Sequence, residues 1–230
     1  MTKKAFQMEQ RKLLRAVTVP FFLVVIMIMM HLLHTGFGAT WELGVRPRSM
    51  AHFWGIATHV LQHGDFKHLL YNILPILFLA SLVRYLFWDY RYRLLLWMWF
   101  IQGSLLWLIG RENSHHIGAS GLVYGLVFFT FMLGILIPIR SMRALSLLMV
   151  FLYGGLIWGM IPLEGSTISW EGHLSGAISG IFMAFFYRKL LRACFKEKLY
   201  PPDEEDSDLQ IEEIRKGKRL PYDGFLRDEE

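Results

Sequence analysis

The chain is poor in cysteine, in charge and in well-placed acids. One cysteine, Cys194, stands in 230 residues, which excludes a disulfide within the chain. It lies beside Arg188, Lys189 and Arg192, a position open to acylation, though ordinary packing or a surface role is the plainer expectation. Charged residues make up only 19% of the chain against 54% hydrophobic and 15% aromatic, and the apolar residues gather in long runs. Repeated runs near the roughly 20 residues that a bilayer demands exclude an ordinary soluble core and define a polytopic membrane protein. The charge that is present divides unevenly: residues 197–230 carry 12 acids and 6 bases, leaving 7 acids and 18 bases before them. The basic excess belongs to the membrane portion, where orienting the chain explains it better than a nucleic-acid partner does.

An all-α, six-helix bundle is expected. A basic lead-in, residues 1–18, precedes an apolar run from about Val19 to Leu33, read as a retained first helix because no small-residue cleavage site follows His34. His31 and His34 read as polar caps near its outer end. Residues 35–58 mix Trp41, Phe53 and Trp54 with Arg46 and Arg48, the pattern of a structured loop lying on the bilayer. Five more spans follow, at about His59–Val83, Leu94–Ile109, Gly118–Ile139, Ala144–Pro162 and Gly172–Tyr187. Pro75 should release the Tyr71 carbonyl and bend the second of the six. With an inner N-terminus the inner segments hold fourteen bases, among them Lys3, Arg15, Arg84, Arg91, Arg140 and Arg188. The outer side has Arg46, Arg48, Lys67 and Arg111. Both termini are therefore expected in the cytoplasm of a cell whose inner (plasma) membrane holds residues 19–190, with 191–230 as a charged cytoplasmic tail.

This topology sends the second, fourth and sixth spans from outside to inside, so their first turns share one depth. His59, His63, His68 and Asn72 then meet Ser120 of HIGASGLVYG and His173 of GHLSGAISG. Costly polar groups gathered in one membrane layer are a site hypothesis. Ser120 would attack a carbonyl, with His173 taking its proton and later delivering it to the leaving amine. No acid stands in a span where it would orient His173, which argues for a dyad. His68 and Asn72, four apart on one helical face, can both donate to an oxyanion, as can the Ser120 N–H. Gly118 and Gly121 flank the serine as small residues, and Gly176 and Gly180 form a small-xxx-small pair that would bring the sixth span against the fourth. Tyr124, one turn below Ser120, would pack beneath the imidazole. The competing reading makes these small residues a helix-packing face alone.

HGDFKHLLYN (63–72), GASGLVYG (118–125) and GHLSGAISG (172–180) resemble the three signature segments of the rhomboid family of intramembrane serine proteases, over about residues 19–190. The resemblance implies the six-helix fold, the Ser120 and His173 dyad, His68 and Asn72 as oxyanion donors, His63 in a supporting role, and hydrolysis of peptide bonds in or near transmembrane segments of other membrane proteins. No cofactor is implied. Trp54 fits the end of the family's first loop. Gly55, Arg84 and Ala80 depart from the pattern, where many members have arginine, glutamate and glycine, so loop anchoring and inner-side packing need another explanation here.

Rival readings are few. His59 and His63 at i, i+4 and the adjacent His115 and His116 lack a carboxylate or cysteine neighbour, so no metal site is expected, and His115 and His116 read as interfacial loop residues. A catalytically silent rhomboid-like protein that binds transmembrane helices is the main functional alternative. A small transporter ranks last, since no inverted repeat or pair of broken helices is visible.

Overall fold

The computed structural model describes residues 3–38, 41–163, 168–193 and 195. Cys194 and residues 196–230, on which the acylation reading and the acidic tail rest, lie outside them. Among the described residues the chain is helical, with no strand and one isolated antiparallel bridge between Val45 and His116. Six principal helices follow in order: α1 Lys3–Gly36, α2 Phe66–Leu86, α3 Arg91–Ile109, α4 Ser120–Leu136, α5 Arg140–Tyr153 and α6 Trp170–Phe186. A 3₁₀ segment, Gly154–Met160, extends α5. Among the described residues, four helices are long and apolar enough to cross a membrane: Phe6–Gly36, Phe66–Leu86, Arg91–Ile109 and Arg140–Met160. Helix α4 is apolar but shorter, at 17 residues.

Two boundaries differ from expectation. The basic lead-in is continuous with α1, so no break separates residues 3–18 from the first apolar run. The second span opens later than His59: His59 sits in a 3₁₀ turn, His59–Leu61, and His63 in the loop before α2. The cause is local. Asp65 is an N-cap in extended conformation whose carboxylate accepts from the His68 N–H at 2.8 Å, which starts the helix at Phe66.

Helix α4 forms the axis of the bundle, buried along most of its length, with α6 as its closest neighbour. Glycine makes that approach possible. A Cβ at Gly176 would fall 2.0 Å from the Gly121 carbonyl oxygen, and one at Gly180 would fall 2.1 Å from that of Gly125. Backbone therefore rests on backbone where any side chain would force the helices apart.

Two departures from the family pattern find their reasons here. Pro20 lies inside α1 and has no N–H, which leaves the Ala16 carbonyl without its helical donor. The buried Arg84 fills that role, its Nε donating to the Ala16 carbonyl at 2.9 Å and its Nη2 to that of Arg15 at 3.2 Å, while its guanidinium stacks over Tyr92. Gly55 meets Gly44 in the interfacial loop, where a Cβ would lie 2.2 Å from the Gly44 oxygen, so no arginine fits. The loop is held instead by the Trp54 indole donating to the Glu42 carbonyl and the Thr58 hydroxyl to that of Leu43.

The outer surface carries large apolar side chains, Phe22, Ile135, Phe151, Trp158 and Phe186 among them, each more than half exposed. Such a surface is stable only against lipid or a partner.

Candidate active site

Ser120 is the first residue of α4, preceded by Ala119, which provides no side-chain cap. The N–H groups of Ser120 and Gly121 therefore have no intrahelical acceptor and, with the helix dipole, form an electropositive opening. Gly118 delivers the chain to this point at φ +105, a conformation side chains rarely adopt, and a Cβ there would also strike the His68 ring at 2.6 Å. The loop is fixed from both sides: the Gly118 N–H donates to the His59 carbonyl at 2.9 Å, and that of Ala119 to His63 Nε2 at 3.4 Å.

His173, in the first turn of α6, lies with Nε2 at 3.0 Å from Ser120 Oγ and Nδ1 at 2.8 Å from the Gly159 carbonyl. A carbonyl only accepts, so Nδ1 carries the proton and Nε2 turns its lone pair to the serine hydroxyl. A backbone oxygen thus sets the tautomer that a carboxylate sets in a triad. Tyr124 stacks on the imidazole, centroids 4.2 Å apart and planes within 9°, and its hydroxyl donates to the Leu156 carbonyl at 2.6 Å. Gly159 is glycine for space, since a Cβ would lie 2.2 Å from the Tyr124 hydroxyl and 3.0 Å from His173 Nδ1.

The two residues face a cavity of about 690 Å³ that His68, Asn72, Tyr71 and Pro75 also line. Asn72 is buried and spends one amide N–H on the His68 carbonyl at 2.8 Å, which leaves the other to donate elsewhere. His63 packs edge-on against His68 with centroids 5.1 Å apart. Burial, with the neighbouring His68 and His31, pushes the His63 imidazole down to about 3, so it stays neutral and can accept from Ala119. Of the residues named from the sequence, Ser120, His173, His68, Asn72 and Tyr124 line this cavity, while Gly118 and His63 pack on His68 and Gly121, Gly176 and Gly180 belong to the α4–α6 contact.

Other expectations need correction. His116 is buried rather than interfacial: both its backbone groups bond to Val45, and its ring bridges Ser114 and Ser169 at 2.6 Å each. His59 is committed to the Gly55 carbonyl and to Gln102, each at 2.9 Å. His31, read as a cap, is buried with Nδ1 3.3 Å from the His63 carbonyl. Two residues escaped sequence reasoning. Gly159 gave only the weak signal of a third glycine in GGLIWG. Glu171, two residues before His173, is fully buried and pairs with Arg111 at 2.5 Å. A carboxylate within the WEGH tetrapeptide that opens an apolar run was the available clue.

Apolar helices wrapped around a buried polar cavity define an integral multi-pass membrane protein. A family model, the Rhomboid domain, matches residues 50–190, and the chain belongs to the rhomboid family. An uncharacterized protein of Mycobacterium tuberculosis is 34% identical over 155 residues, 62% of each chain. One of Mycobacterium leprae is 33% identical over 149 residues, covering 62% of this chain and 59% of its own. The Rhomboid protease GlpG of Yersinia enterocolitica is 25% identical over 185 residues, covering 71% of this chain and 59% of that protein. The match spans about three fifths of the length of these curated relatives.

Proposed function

We propose that the chain is an intramembrane serine endopeptidase that hydrolyses peptide bonds in or near transmembrane segments of other membrane proteins. The observation that carries this reading is the 3.0 Å contact of Ser120 Oγ with a His173 whose Nδ1 is held by the Gly159 carbonyl. Ser120 Oγ adds to the scissile carbonyl carbon while its proton passes to His173 Nε2. The negative charge gathering on the carbonyl oxygen is met by the Ser120 N–H, the free Asn72 amide N–H and His68. One such donor contributes about 3–4 kcal/mol to the transition state. His173 then protonates the departing amine, the C–N bond breaks, and an acyl-serine remains. Water, deprotonated by the same imidazole, cleaves that ester and restores the hydroxyl.

In this reading all six helices cross the bilayer, with both termini on the basic, cytoplasmic side. The brevity of α4 supports it, because a helix enclosed by others can begin beneath the membrane surface, at the floor of a water-filled cavity rather than in lipid. A substrate must reach Ser120 as extended backbone, so helix-weakening residues near its scissile bond should favour cleavage.

Purified protein should cut a single-span reporter, and Ser120→Ala and His173→Ala should each abolish the cut while the protein remains folded. Cutting that survives either substitution overturns the dyad. Reporter binding without cutting by the unsubstituted protein would instead identify a catalytically silent helix-binding relative.

A further inference from the structure

The mouth of the cavity contains a polar assembly that the proposed reaction does not use. Glu171, in the first turn of α6, is fully buried, and among the described residues its carboxylate forms one ion pair, with the Nε of Arg111, a half-exposed residue of the loop leading to α4. Beside this pair runs a chain of hydrogen bonds whose directions are all fixed. Ser114 Oγ donates to the Arg111 carbonyl at 2.5 Å, so it accepts from His116 Nε2–H at 2.6 Å. His116 Nδ1 is then the acceptor for the Ser169 hydroxyl, also at 2.6 Å. Ser169 in turn caps α6 by accepting from the Gly172 N–H at 3.2 Å. One neutral tautomer of His116 satisfies every member, and burial holds that imidazole down at about 4.

Both ties join the same two pieces of chain. One piece is the first turn of α6, which contains His173. The other is the 111–116 loop, which ends four residues before Ser120 and is itself pinned to Val45 through both backbone groups of His116. The glycine contacts set the separation of α4 and α6, since Gly176 rests on the Gly121 carbonyl and a Cβ at Gly121 would lie 2.9 Å from that of Gly172. The outer ties add a hold on the other side of the same turn, where it faces the 111–116 loop.

We propose that Glu171 and His116 are positioning residues, which hold the opening turn of α6 on the loop before Ser120 and so fix His173 Nε2 at hydrogen-bonding distance from the serine. The inference rests on the proposed reading of Ser120 and His173. Burying a carboxylate is costly and seldom adds stability over an apolar residue of similar size, so its return here is geometry.

The test compares apolar with polar isosteres in the full-length protein. Glu171→Leu and His116→Leu remove the ties. Glu171→Gln keeps an acceptor for Arg111, and His116→Gln keeps one donor and one acceptor. Each is measured for kcat and KM on a single-span reporter and for the rate at which a fluorophosphonate labels Ser120. The Leu variants should lose about tenfold in kcat and in labelling rate, the scale of a displacement below 1 Å, with KM unchanged. The Gln variants should recover most of that loss. Ser169→Ala, which deletes a single hydroxyl and is mild enough to fold, should lower both rates in the same sense. Leu variants that fold and label at the unsubstituted rate overturn the proposal, as does a change confined to KM or an equal loss in the Gln variants. An unsubstituted protein that neither labels at Ser120 nor cuts the reporter fails at the earlier step and removes the dyad reading as well.

Discussion

Gly176→Ala adds one methyl group at the tightest point of the bundle, and the structure sets its consequence. The new Cβ would lie 2.0 Å from the Gly121 carbonyl oxygen, whereas ordinary contact begins at 3.4 Å, so α4 and α6 must part by 1.4 Å. The obstacle is backbone on both sides, and no rotamer change relieves it. His173 lies three residues earlier on the same helix, and Ser120 stands next to Gly121. If half the opening, 0.7 Å, reaches the dyad, the 3.0 Å hydrogen bond between His173 and Ser120 lengthens to 3.7 Å and is lost. A 1 Å misplacement of reacting groups costs about a hundredfold in rate. The fold itself should lose only about 1–3 kcal/mol, as for other overpacked sites. The assay is reporter cleavage beside thermal unfolding in the same detergent, with Gly36→Ala as control, since nothing lies within 4 Å of a Cβ there. A Gly176→Ala protein that keeps more than half its activity would refute the claim that this contact sets the dyad distance.

Other consequences can be checked alongside. His116 and His63 are held down at about 4 and about 3 by burial, against an ordinary value of 6.5. The unfolded chain therefore binds protons below pH 6.5 that the fold refuses, and stability falls as pH is lowered through that range, levelling off only below pH 4 for His116 and pH 3 for His63. Between pH 7 and 5 each should withdraw about 2 kcal/mol, and His116→Gln should flatten the measured slope. Arg84→Met should cost about 1–3 kcal/mol by stranding the Ala16 carbonyl. Pro20→Ala should offset much of that loss, because it restores a helical donor, so thermal unfolding of the double variant should show strong coupling. Tyr124→Phe, which keeps the ring under His173, should preserve most activity in the reporter assay, while Tyr124→Ala should reduce it severely. A polyleucine reporter span should be cut more slowly than one with glycine at the scissile region.

Ser120, His173, His68 and Asn72, which line one cavity, are residues that the expected alternation of spans gathers at one level, and that arithmetic needs no side-chain detail; it does not set apart His59, which is bonded to Gly55 and Gln102 instead. Gly176 and Gly180 announced the helix contact through their spacing. The start of α2 was misplaced because hydrophobic runs say little about ends; Asp65, a capping residue after a glycine, was the signal that outweighed the apolar pattern. The partners of His173 were invisible for a different reason. A backbone carbonyl such as that of Gly159 has no sequence signature, and neither does a hydrogen-bond chain through Ser114, His116 and Ser169, whose members look like loop polarity until they are folded together. Arg84 read as a departure because its purpose depends on Pro20, more than sixty residues away.

The most direct measurement is intact-mass spectrometry of the purified protein after exposure to a fluorophosphonate, with the adduct mapped by proteolysis. A single adduct on Ser120, formed at a rate that collapses in His173→Ala, is the expected result. Modification elsewhere, none at all, or equal labelling without the histidine would contradict a nucleophile activated by that imidazole.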